Sequence, residues 1–285
     1  MALETYRYLR GGMAVMIVLL GAAVLVERAR ASCWQTSVSA YYFTSAHAVF
    51  IAALCGLGAM LIVYKGSNDT EDVLLNLAGI LAFVVAMVPT SRPLLLCGTA
   101  DLNAGGQFAI PNTWAVVVAL VVSRAASWWM YHRTGTGPRR SSLGIAALWV
   151  QRLLLAVGLV ALTLAPGWFR ANAHGVAAVA MFAAIILTVA ITAVVAGHQD
   201  DDKCPHRRRY QRAYSAIAVV MVLTLAAAVG LHQFLDGFSH AVIVVEAALV
   251  AEFAVYWIVQ TVELWGTATR VGLMAQRDTR LLRAL

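Results

Sequence analysis

Charge is what this chain has least of: only 12% of its 285 residues are Asp, Glu, Lys or Arg, against roughly a quarter in an ordinary soluble domain. So little charge cannot clothe a water-facing surface on a chain that is 61% hydrophobic. The apolar blocks also lack the polar/apolar alternation of a membrane β-barrel. A Walker loop, a dinucleotide fingerprint, a G-x-S-x-G elbow, His-Glu-x-x-His and Cys-x-x-Cys are all missing, so phosphate, nicotinamide and the commoner hydrolase chemistries lack support. That absence does not bear on an enzyme assembled from residues distant in sequence. Neither an internal repeat nor a low-complexity domain is visible.

What is present is a series of apolar blocks, each long enough to cross a hydrocarbon core as about 20 residues of helix. Lipid offers the backbone no hydrogen-bond partner, so the expected fold is all-α, a polytopic transmembrane bundle. Eight spans are expected, near residues 11–27, 46–64, 73–89, 113–131, 147–165, 174–196, 214–232 and 240–262. Seven spans is the main competitor. The first block follows Arg7 and Arg10 like a signal peptide, but Glu27, Arg28 and Arg30 crowd the cleavage position, so an uncleaved first helix is expected. One transmembrane domain should occupy residues 1–265, with a cytoplasmic tail over 266–285.

Basic residues divide unevenly between the two sides of these spans: 15 fall with the two termini and four on the other side. The positive-inside rule then places both termini in the cytoplasm, in what is expected to be a bacterial plasma membrane. Trp114, Trp128, Trp129, Tyr131, Trp168, Trp257 and Trp265 lie toward span ends, where interfacial aromatics belong. The net charge of +7 follows from loop arginines, and the expected partner is the lipid bilayer, not a nucleic acid.

The segment Ser37-Val38-Ser39-Ala40-Tyr41-Tyr42, then Leu75-Asn76-Leu77-Ala78-Gly79 and Pro89-Thr90, resembles an uncharacterised bacterial multi-pass membrane protein family. The resemblance covers the first third, and Glu246 with Tyr256-Trp257 is similar to that family's last helix. It implies a multi-pass helical domain and no particular chemistry. A weaker likeness is to the membrane hydrolase superfamily of alkaline ceramidases and progestin-type receptors, which binds zinc through three histidines. Its motifs fail here, since Ser45 and His47 are two apart and His232 and His240 eight apart.

Ionisable residues at membrane depth are the functional candidates, because placing them there is costly. Glu252 lies near the middle of the last span and Arg124 near the middle of the fourth, at depths that permit an ion pair. The alternative is that Arg124 reaches the interface on its long stem while Glu252 is protonated. Glu252, Tyr256 and Glu263 share one stripe of the last helix, and Glu246 is rotated by about 120° from Glu252. Such a stripe suits a proton or cation relay in a transporter, or helix registration in a structural protein.

At the outer rim, His47, His174, His232 and His240 gather with Asp101 and Asp236. His232, Asp236 and His240 are spaced i, i+4, i+8, which suits zinc on an unbroken helix, although Gly237 and an expected turn interrupt it. No cofactor is otherwise expected. Of four cysteines, Cys33 and Cys97 alone share the outer side, where a disulfide would staple the outer loop. The leading functional expectation is a protein that binds or moves a small or lipid-like ligand. An outer-facing metal-dependent lipid hydrolase or transferase and a non-catalytic accessory subunit are the competing classes.

Overall fold

The computed structural model describes residues 2–90, 97, 106–137, 140–234 and 240–274. It is 83% helical, with no strands among the described residues. Eight helices follow the eight expected blocks: α1 (Ala2–Ala31), α2 (His47–Val63), α3 (Asp69–Met87), α4 (Ala109–Thr134), α5 (Ser142–Leu164), α6 (Pro166–Gly197), α7 (Arg207–Phe234) and α8 (Ala241–Glu263). Seven have the length and apolar character to cross a membrane. The 17-residue α2 is the shorter apolar helix of the set. The chain is an integral membrane protein by these helices.

Local chemistry sets the helix ends. The Asn68 side chain accepts from the Glu71 backbone N–H at 2.8 Å and opens α3, whose first turn carries Asp69, Glu71 and Asp72 against the positive end of the helix dipole. Ser141 caps α5 by accepting from Gly144 N–H at 2.8 Å, and its own N–H is held by the Asp69 carboxylate of α3. Gly135, at φ 66°, ends α4 in the left-handed conformation. Pro166 starts α6 at a position where its missing N–H costs nothing.

Six helices close a ring in which neighbours run α1–α2–α3–α6–α7–α8 and back to α1, while α5 and α4 pack outside it against α3 and α6. Helices α2 and α3 approach closely at a pair of glycines. A Cβ on Gly58 would stand 2.7 Å from the Gly79 carbonyl oxygen, and one on Gly79 2.5 Å from that of Gly58. Without a hydrophobic drive between helices in lipid, such small-residue contact supplies the dispersion that holds them. The ring core includes Met13, Leu61, Leu75, Ile185, Met221, Tyr256 and Trp257, and one apolar cavity of about 40 Å³ lies between α1, α2, α6 and α8, lined by Met16, Leu54, Leu57, Ile185 and Phe253.

Candidate functional site

Two polar clusters occupy opposite ends of the ring. The basal end is the one that gathers the start of α1, the α2–α3 and α6–α7 links and the residues after α8. There the chain folds back: residues 266–274, the beginning of the expected cytoplasmic tail, lie against the ring mouth. Arg10 of α1 donates to the Tyr64 hydroxyl at 3.2 Å, to Leu264 O at 3.0 Å and to Ala268 O. Arg270 N–H donates to Ser67 Oγ at 3.1 Å, and Asp200 N–H to Leu273 O at 2.9 Å.

Arg270 then enters the ring. It pairs with Glu263 at 2.6 Å, both side chains being 0% exposed. It also donates to Tyr214 Oη at 3.1 Å. Glu263 further accepts from Tyr214 Oη and from Gln199 Nε2, each at 2.5 Å. Burial by itself would lower the Arg270 pKa, but Glu263 and Tyr214 outweigh it and hold the guanidinium well above its ordinary range, so it stays cationic. Beside this pair, the buried Glu71 accepts from Ser67 N–H at 2.7 Å and from Thr192 Oγ1 at 3.3 Å, and Thr192 lies 3.4 Å from Tyr256 Oη. Tyr256 is one turn from Phe253, which lines the apolar cavity. Buried carboxylates, guanidiniums and hydroxyls thus form a floor at the basal end of the ring.

At the opposite end, Cys33 and Cys97 are joined by a disulfide, with Cα atoms 6.0 Å apart. The Gln35 side-chain amide grips both the carbonyl and the N–H of Cys97. Glu246 accepts from Val38 N–H at 2.7 Å and also from Ser39 N–H, and so caps the 3-10 helix Ser39–Phe43 from a distant helix. His174 is buried between α6 and this helix. Its Nδ1–H donates to the Val88 carbonyl at 2.6 Å, and its Nε2 is hydrogen-bonded with Ser39 Oγ at 2.9 Å.

The ion pair that similar depth permits between Glu252 and Arg124 does not form. The α4 helix packs on α3 and α6, away from α8, and Arg124 is exposed. Glu252 lies half-buried in the α7–α8 seam, where it accepts from Thr224 Oγ1 at 2.8 Å, and its second oxygen is buried without a partner. The stripe through Glu252, Tyr256 and Glu263 is divided accordingly: the latter two reach the basal floor and the first faces α7. Of the metal candidates, His47 contacts the Tyr42 carbonyl at 2.6 Å and His240 that of Gln35 at 3.4 Å. The His232 side chain and Asp236 lie outside the described residues. Among the described residues, no three His, Cys, Asp or Glu side chains are placed to hold a metal.

Sequence reasoning missed Glu71, Arg270, Arg10 and Tyr214. Glu71 fell two residues before the expected start of its span, and the one local signal was the Asn68-x-x-Glu71 spacing of a capped helix start. No family model, curated protein or solved structure matches the chain.

Proposed function

We propose that this protein binds or moves a small or lipid-like ligand through the six-helix ring, and that the basal floor is its closed gate. The observation that carries this reading is the network of Arg10, Arg270, Glu263 and Glu71, buried inside the ring immediately beyond an apolar cavity. Ionisable groups taken out of water are costly unless they are paired, so a buried and mutually paired set across the ring mouth is suited to close it. At about 40 Å³ the cavity is far below the several hundred Å³ of a ligand pocket, which fits a shut state. Under this reading the basal end faces the cytoplasm and the disulfide end faces the oxidising side, since arginine-rich links and an extracytoplasmic disulfide both favour that orientation. A bacterial plasma membrane accommodates both.

The test is flux in reconstituted vesicles, using protons and a short-chain fluorescent phospholipid as the two probes. Removing both partners, in Arg270→Ala with Glu263→Ala, should open a leak to at least one probe that the wild type does not pass. A folded double variant as tight as wild type to both would leave the accessory-subunit reading in its place.

A further inference from the structure

We propose that the seat of Arg270 is a binding site for a guanidinium cation, and that Arg270 fills it as a tethered occupant which such a ligand displaces. This inference names the ligand class of the gate, and it rests on that reading in taking residues 266–274 to withdraw.

The segment that carries Arg270 has little else to hold it in the ring mouth. From Gly266 to Leu273, Arg270 alone is buried, at 0% exposed, while Gly266, Val271 and Gly272 are exposed and the others half-buried. Its further ties are hydrogen bonds to the main chain, such as Arg270 N–H to Ser67 Oγ and Arg10 to Ala268 O. Release of these residues therefore gives up little apolar burial.

The groups that receive the guanidinium stand on helices and stay behind when it leaves. Glu263, the last residue of α8, takes it with both oxygens, from Nε at 3.1 Å and from Nη2 at 2.6 Å. Tyr214 of α7 offers its hydroxyl to the same Nη2 at 3.1 Å and its ring to the guanidinium carbon, 5.2 Å from the centroid. A carboxylate fork beside an aromatic face matches a planar guanidinium, whereas an ammonium is a point charge that does not match the fork.

A free guanidinium suits this seat better than the tethered one. Arg270 Nη1 is buried without a partner, and so is Oε1 of Gln199, whose Nε2 donates to Glu263 in the same seat. The backbone fixes the angle at which Arg270 enters. A ligand without that tether is able to turn until its remaining N–H groups reach the orphaned oxygen, which removes both deficits. Charge selects the same class. With Arg270 withdrawn, Glu263 loses its cation, and Arg10 is already committed to the Tyr64 hydroxyl and two main-chain carbonyls. A buried carboxylate left alone is costly, so the replacement must itself be a cation.

The test uses full-length protein in mild detergent, with Cys55→Ala, Cys204→Ala and a reporter at Ala268→Cys, labelled by a maleimide in millimolar methylguanidinium, methylammonium, urea or sodium chloride. Methylguanidinium should speed labelling at least fivefold and saturably, because it releases the segment, and the other three should leave the rate unchanged. In Arg270→Ala the seat is vacated, so equilibrium dialysis with radiolabelled methylguanidinium should show binding at least tenfold tighter than in wild type. Adding Glu263→Gln should abolish it. The labelling arm keeps every residue of the seat, so it decides the matter even where those variants fail to fold. A rate unchanged by methylguanidinium, or raised equally by methylammonium or urea, would overturn the proposal. So would binding to Arg270→Ala with none to wild type, the mark of a hole left by a purely structural ion pair. Neither arm depends on flux: displacement and binding without any leak in the floor variants would sink the gate alone, and a leak without binding would sink this site alone.

Discussion

Helices α3 and α4 are both apolar enough to cross a membrane, yet 67% of the most apolar stretch of α3 is buried inside the protein and only 11% of that of α4. The difference separates two meanings of hydrophobicity. In water an apolar face must find a protein partner, whereas in lipid it is already solvated, so burial inside the bundle reports packing and polar pairing instead. The α3 helix has what holds helices together there: the Gly58–Gly79 contact, a capped start, and Glu71 tied to the ring floor. For α4 the close contacts are confined to one end.

Substitutions at matched sites break or sharpen this comparison. The largest effect should come from Arg270→Ala, which strands Glu263 and should lower stability by about 3 to 5 kcal/mol, the cost of losing one member of a buried pair. Arg152→Ala on the flank should stay within about 0.5 kcal/mol, as at an ordinary surface position. Both are measured by reversible denaturation in mixed micelles, and Glu263→Ala added to Arg270→Ala should recover part of the loss. A leucine at Gly79 must push α2 from α3, for about 1 to 3 kcal/mol. At Gly158 of α5, where an added Cβ meets nothing within 4 Å, Gly158→Leu should be neutral or better. Similar costs at both glycines would mean that α5 is packed as tightly as the ring. The smallest of the losses within the ring should be at Thr224→Val, which removes the hydroxyl donor to Glu252, for about 1 kcal/mol.

The eight helices were legible because twenty-residue apolar blocks have few other readings, and each observed helix overlaps its expected block. Side-chain pairing was legible only where chain order constrained it. Cys33 and Cys97 could be matched because alternating spans left them alone on one side. Arg124 and Glu252 have similar depths, but depth says nothing of azimuth, and α4 lies outside the ring on α3 and α6 while α8 closes the ring against α1 and α7. Arg270 read as one more tail arginine because nothing in the residues around it signals that the chain turns back into the ring mouth. Its burial depends on Glu263, Tyr214 and Ser67, which reach it from three other segments.

The closed floor is the central claim, and access of water-soluble reagent to the cavity tests it most directly. With Cys55 and Cys204 replaced by Ala, a single reporter at Leu57→Cys lines the cavity, and a membrane-impermeant maleimide is applied from the basal side of oriented vesicles. The reporter should stay unlabelled in the otherwise native protein and react in the Arg270→Ala, Glu263→Ala background. Ready labelling with the floor intact, or protection that persists in the folded double variant, would contradict the account.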